Sequence, residues 1–254
     1  MLMVDESYLP VTLFVPDLTD EAFQDWCDQY PDYRLEYSAE GEIIIMPPID
    51  RWTGAQNAAI TKRLGNWADI TGQGIVTDSS AGFVLPNHAR RSPDAAWISS
   101  ERFEIAEICP EFVIELVSPF DRRKKVHEKM LEWIENGAEL GWMIDPLHQS
   151  VSIYRPKQNV EVRQGIAEIA GEGPVAGFVL DLREIGMSGG RASCSMLPAK
   201  PREVPFKIHW PPAIVSPATR SRIRRHHAGD LCKVVVPLVA TQAVRSRRRA
   251  HISP

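Results

Sequence analysis

Three side chains in the middle of the chain bring reactive chemistry to close sequence range. Asp94 directly follows Pro93, Glu115 interrupts the apolar run Phe112-Val113-Ile114-Glu115-Leu116-Val117, and Lys129 lies in the charged segment that comes next. A carboxylate inside an apolar strand must be paired, metal-bound or protonated, so Glu115 demands a partner. An acid at the start of one strand and an acid within a neighbouring strand can stand side by side. Two such carboxylates suffice for Mg²⁺, which takes oxygen ligands, keeps several waters and completes its shell with substrate phosphates. A nearby ammonium could orient or deprotonate an attacking water and stabilise charge on a phosphate. Each residue also has a plainer reading: an Asp after Pro is a turn residue, and a helix-flank lysine covers apolar surface with its stem.

The elements that must position these groups follow from periodicity and caps. The strand over 112–117 has the composition of one buried on both faces. Ser118-Pro119-Phe120-Asp121 predicts a helix start, with a Ser cap, Pro in first position and an acid three residues past the cap. Val126, Met130, Trp133 and Ile134 form its apolar stripe, with Lys129 on the flank and Gly137 as the stop. A strand over 141–145 pairs with one over 150–155 across Asp145-Pro146-Leu147-His148. Asp145 reads here as turn chemistry, and His127 and His148 lack the spacing of a metal-ligand motif.

Upstream, Thr19 caps a short helix that Pro31 stops, and 33–37 with 42–46 read as a β-hairpin bearing Glu36 on one face of its first strand. A helix is expected over 54–71, ended by Gly72. Strands follow over 74–77 and 82–85, then a loop over 86–92. A short helix capped by Ser99 or Ser100 is expected to run toward Ile108. Strands over 160–163 and 177–182 complete the body.

Charge is divided unevenly. Residues 1–186 hold 16 Lys+Arg against 31 Asp+Glu (16 − 31 = −15), and residues 187–254 hold 13 against 2 (13 − 2 = +11), which together give the net −4. This predicts an acidic domain over 1–186 and a basic, low-structure tail over 187–254 that buries too little to offset its chain entropy. The tail's basic runs suit non-specific contact with nucleic acid. A non-native extension is the alternative, since the character of the chain changes abruptly at its start. Four cysteines without a CxxC pair suggest neither a zinc ribbon nor a disulfide framework, and fit a reducing cytoplasm. No apolar run approaches the roughly 20 residues that span a bilayer, so no membrane partner is expected.

Taken in order, Pro93-Asp94, Ile114-Glu115-Leu116-Val117-Ser118-Pro119, His127-Glu128-Lys129-Met130, and Asn136-Gly137-Ala138 with Leu140-Gly141-Trp142-Met143-Ile144-Asp145-Pro146 resemble the Uma-type restriction endonucleases. That family belongs to the PD-(D/E)XK nuclease superfamily. The likeness extends from Gly41-Glu42-Ile43-Ile44-Ile45-Met46-Pro47-Pro48 to Gly177-Phe178-Val179-Leu180-Asp181-Leu182 and covers roughly 9–185.

The resemblance implies an α/β (α+β) restriction endonuclease-like core, a central mixed β-sheet flanked by helices. It implies a DNA endonuclease using Mg²⁺ or Mn²⁺, with Asp94 and Glu115 as metal-binding acids and Lys129 as the catalytic lysine. Glu36 would be an additional acid. The superfamily pattern places its lysine two residues after the second acid, where this chain has Val117, so the role passes to Lys129, with Lys124 and Lys125 as lesser candidates. Arg122, Arg123, Lys124 and Lys125 sit in the first helical turns, where cations are disfavoured by the helix dipole, and are candidate DNA contacts. A homodimer is a further candidate partner. Two other functions stay open: an inactive nucleic-acid- or protein-binding module on the same fold, suggested by the acidic body and Val117, and a hydrolase of small phosphate esters.

Overall fold

The computed structural model describes residues 10–46, 49–119, 121–187 and 234–235, and divides into two compact units. The expected tail over 187–254 lies outside the described residues except for Met187 and the pair 234–235.

The smaller unit comprises Met1–Leu35, Glu40–Met46 and Glu203–Pro254. Its strand β1 (Val11–Phe14) runs antiparallel to β3 (Glu42–Met46), with Leu13 opposite Ile43. The two-residue alternation buries Val11, Leu13, Ile43 and Ile45. Residues 234–235 pair parallel with β1. Helix α1 (Asp20–Gln29) is capped as its sequence predicts: the Thr19 hydroxyl accepts from the Ala22 N–H at 3.2 Å, and Asp20 and Glu21 occupy the first turn. Strand β2 (Arg34–Tyr37) starts in this unit and follows β3 in the sheet order, in keeping with the expected hairpin.

The larger unit, Glu36–Ala39 and Pro47–Arg202, is built on a six-stranded mixed sheet. Its strands are β4 (Ile75–Asp78), β7 (Ala95–Ile98), β8 (Phe112–Leu116), β9 (Leu140–Asp145), β10 (Ser150–Tyr154) and β11 (Glu161–Gln164), in the spatial order β11-β10-β9-β8-β7-β4. All neighbours are antiparallel except β8 and β9, whose parallel pairing needs the crossover that α3 (Arg123–Glu135) provides. β5 (Phe83–Val84) and β6 (Arg90–Arg91) form a short antiparallel pair, and β6 also bonds to Tyr37. β12 (Glu168–Ala170) and β13 (Val179–Asp181) make a separate hairpin.

Side chains alternate across the sheet. Ala95, Trp97, Phe112, Ile114, Leu116, Trp142, Ile144, Val151 and Ile153 face helix α2 (Arg51–Thr71) and the C-terminal residues Phe178, Leu180, Leu182 and Ile185. Ala96, Val113, Val117, Met143 and Tyr154 face α3, whose Met130 and Trp133 are fully buried. Gly141 lets this helix lie close, since a Cβ there would stand 2.3 Å from Met130 Cε. At the C-terminal border, Gln56 Nε2 on α2 donates to the Ile185 carbonyl at 2.7 Å, and Arg63 forms an ion pair with Glu184.

Several boundaries differ from expectation. α2 begins at Arg51, because the Asp50 carboxylate accepts from the Trp52 and Thr53 N–H groups. The helix expected toward Ile108 is a series of turns: Ser99 turns its hydroxyl onto Glu111 at 2.6 Å, and its carbonyl accepts from Arg102 and Phe103. α3 starts at Arg123, not at Ser118. Asp121 closes a turn on Ser118 instead, accepting from the Ser118 N–H at 2.7 Å and donating its own N–H to the Ser118 carbonyl. Among the described residues no helix is long and apolar enough to cross a membrane.

Candidate active site

The antiparallel register of β7 and β8 sets Ala95 opposite Ile114 and Ala96 opposite Val113. Asp94 immediately precedes β7, and its charge is close enough to Glu115 to act on that carboxyl. The regular ladder ends at Ala95: the Asp94 N–H donates to the carbonyl of Ile114, the residue that Ala95 already faces, at 3.1 Å. The Asp94 carboxylate is buried and held from two sides. Its Oδ2 accepts from the Leu116 N–H at 2.8 Å, and its Oδ1 accepts from Asn57 Nδ2 at 3.1 Å.

Glu115 accepts two hydrogen bonds on Oε1, from the Lys129 ammonium at 2.8 Å and from the Trp133 indole N–H at 2.9 Å. No hydrogen bond among the described residues reaches its Oε2. Burial, opposed by Lys129 and reinforced by Asp94 and Glu36, pushes this carboxyl up to about 7.

Lys129 comes from α3 with its side chain 12% exposed, and it divides its three donors among Glu115 Oε1, Glu36 Oε1 at 2.9 Å and the Ser92 carbonyl at 2.8 Å. Glu36 in turn accepts from the Ser92 N–H and from Arg91 Nη1, each at 3.2 Å. Arg91 reaches Glu132 as well, with Nε and Nη2 at 2.6 and 2.5 Å from Oε2. The cluster therefore holds four carboxylates, Glu36, Asp94, Glu115 and Glu132, against two cations, Arg91 and Lys129.

These residues fit a divalent cation of the Mg²⁺ type. Asp94 and Glu115 offer buried carboxylate oxygens near one another, the cluster holds more carboxylates than cations, and a buried acceptor beside Asp94, Asn57 Oδ1, has no hydrogen-bond partner among the described residues. A flipped Asn57 amide would set oxygen against the Asp94 oxygen, so the donor assignment is the consistent one. No three His, Cys, Asp or Glu side chains among the described residues close on one point. The arrangement thus resembles the open sites in which one or two carboxylates leave most of the shell to water and phosphate.

The structure accordingly brings Asp94, Glu115, Lys129 and Glu36 into one cluster, while Val117 packs in the apolar layer beneath α3. Lys124 and Lys125 are exposed and pair with Glu128. Arg122 is the N-cap of α3 and makes no side-chain cap, and Arg123 contacts Asp145.

Asn57, Arg91, Ser92, Glu132 and Trp133 were not among the sequence candidates. Three of them left a signal: Asn57 lies on the buried stripe of α2 with Ile60, Leu64 and Ala68, and Glu132 and Trp133 follow Lys129 at helical spacing. Arg91 sat in a stretch expected to be loop.

The family model Uma2, described as "Putative restriction endonuclease", matches residues 20–183. Among solved structures, the chain is similar to a "putative nuclease belonging to DUF820" from Anabaena variabilis ATCC 29413. The TM-score is 0.53 at 23% identity, covering 60% of this chain and 89% of that one. No curated protein matches.

Proposed function

Because the chain belongs to the Uma2 restriction endonuclease family and its nuclease-like fold carries the acid cluster, we propose that it is a divalent-metal-dependent DNA endonuclease that hydrolyses phosphodiester bonds. The observation that carries this reading is the gathering of buried Asp94 and Glu115 with the Lys129 ammonium 2.8 Å from Glu115. Mg²⁺ or Mn²⁺ held by Asp94 and Glu115 would supply charge neutralisation at the phosphate and a more acidic water.

The remaining roles belong to the chain's own groups. Asn57 and the Leu116 N–H fix the Asp94 carboxylate, and the Trp133 indole fixes Glu115. Glu36 and the Ser92 carbonyl hold the Lys129 ammonium in place, from where it orients the attacking water or stabilises charge on the phosphate. Arg91 and Glu132 keep Glu36 in position.

Nicking of supercoiled plasmid in Mg²⁺, lost in both Asp94→Ala and Glu115→Ala, is the expected result; cleavage that survives both changes refutes the assignment. A second reading, a binding module without hydrolysis, is favoured by one observation: every donor of the Lys129 ammonium is already taken by protein acceptors. DNA binding without metal-dependent nicking would select it.

A further inference from the structure

We propose that Arg123 and His148, joined through the buried carboxylate of Asp145, form a second station on the same face that receives a backbone phosphodiester next to the one at Asp94 and Glu115. This rests on the nuclease reading of that acid pair. Asp145 is the last residue of β9 and only 1% exposed, and its carboxylate is not merely a turn lock. Oδ1 does accept from the His148 N–H at 3.0 Å, which closes the turn. Oδ2, however, holds two side chains the turn does not need: His148 Nδ1 at 2.8 Å and Arg123 Nε at 3.3 Å.

The outer ends of both side chains are exposed. The Arg123 side chain is 46% exposed and that of His148 61%, and no hydrogen bond among the described residues reaches the terminal guanidinium nitrogens or His148 Nε2. A carboxylate on Nδ1 keeps a proton on that nitrogen. In the imidazolium form, Nε2 then becomes an outward donor beside the guanidinium fork. Such a pair suits a tetrahedral anion better than it suits another side chain.

The surroundings point the same way. The N-terminus of α3 has no side-chain cap and no acid in its first turn, so its dipole and the cations of Arg123, Lys124 and Lys125 add at one place. Of the acids near this station, Asp145 belongs to it, Glu128 is taken up by Lys124 and Lys125, and Asp121 accepts from the Ser118 N–H. His127, one helical turn beyond Arg123, is turned away onto the Tyr154 hydroxyl at 2.7 Å.

Position relates the station to the acids. The parallel register sets Glu115 beside Met143, and the ladder runs on through the Val117 N–H to the Ile144 carbonyl at 2.8 Å. Asp145 therefore stands one strand over and two residues beyond Glu115 on the same face, about 8 Å away by strand spacing and rise. That is the scale on which successive phosphates of one strand are separated, and a polymer lying across β8 and β9 would meet both places.

The test uses the full chain and a short duplex in Ca²⁺ or EDTA, with affinity followed over a salt series. Arg123→Gln and His148→Gln are surface changes, and thermal melts check their folding. Each is expected to weaken binding roughly three- to tenfold, and Arg123→Gln to reduce the slope of log K against log salt by about one. The His148 ring resonances, assigned by their loss in His148→Gln, should shift on adding the dinucleotide dTpdT and should no longer do so in Arg123→Gln. This local readout is unaffected by binding elsewhere on the chain.

Unchanged affinity and salt slope in both variants, or no shift of the His148 ring, overturns the proposal. An equal shift with inorganic phosphate at the same concentration overturns the diester assignment. Wild-type binding with these losses but no Mg²⁺-dependent nicking upholds the station and removes the nuclease reading. Nicking that persists with neither loss does the reverse.

Discussion

On the α2 side of the central sheet, β7 to β10 present Ala95, Trp97, Phe112, Ile114, Leu116, Trp142, Ile144, Val151 and Ile153, all of them apolar. On the α3 side the same strands present Glu115, Asp145, Ser150 and Ser152 among Val113, Val117 and Met143, with Asp94 just before β7. One set of strands thus builds a face that only packs and a face that packs and carries charge. Stability can be drawn mostly from the first, which frees the second to hold carboxylates whose burial is unfavourable. The cost there is contained by partners: Glu115 has Lys129 and Trp133, Glu36 has Arg91 and Lys129, and Asp94 has Asn57 and a backbone N–H.

The sharpest way to break this contrast is Lys129→Met. It should lower nicking by about 10² to 10⁴-fold. It also leaves Glu115 and Glu36 buried without their shared cation, a loss of about 3–5 kcal/mol in denaturant melts at neutral pH. A double change with Glu115→Gln should recover part of that stability but no activity. If Lys129→Met nicks like the wild type, the lysine serves only to neutralise Glu115 and Glu36.

Phe112→Ala tests the other face. It should cost about 3–5 kcal/mol with no change in metal dependence, since Phe112 packs on Trp142 and Phe178 and touches no site group.

A smaller effect distinguishes the faces by pH. The Glu115 carboxyl stands at about 7 in the fold against an ordinary 4.5, so folding favours its protonated form. The stability it contributes is complete below about pH 4.5 and is lost as pH rises through 7. Over that window the metal-free protein should lose about 3 kcal/mol from this group. Glu115→Gln should remove this component of the pH dependence; equal slopes for the two proteins would show that Glu115 is not the group that titrates.

Smallest is Trp133→Phe, which keeps the buried ring but removes the N–H donated to Glu115. It should cost about 1.5–3 kcal/mol above pH 7 and less at pH 5, where the acceptor is neutral.

The same contrast explains what the sequence disclosed. Alternation and turn residues were enough for β8, β9 and β10 and for the hairpin at Asp145 to Gln149, because a buried strand leaves a continuous apolar run. The acids stood out against that run, and so Asp94, Glu115 and Lys129 were legible. Arg91 and Glu132 were not, because a buried ion pair joins residues 41 positions apart and each alone looks like ordinary surface charge. The start of α3 was misread because Asp121 accepts from Ser118 to close a turn, a local use of a carboxylate that competes with helix capping. Asp145 was read only in part: the turn bond to His148 was foreseeable, but the bond to Arg123 depends on a helix that returns from elsewhere.

One contact at the border of the domain bears on how it can be engineered. Gln56 grips the Ile185 carbonyl, and the next residue on α2, Asn57, grips Asp94. A fusion partner or affinity tag joined before Ile185 would pull on the helix whose side chain aims a candidate metal ligand, whereas a junction placed beyond Met187 leaves that grip intact. Anyone fusing another module to this scaffold should therefore treat the final turn at Leu182–Ile185 as part of the folded domain and begin the linker after it.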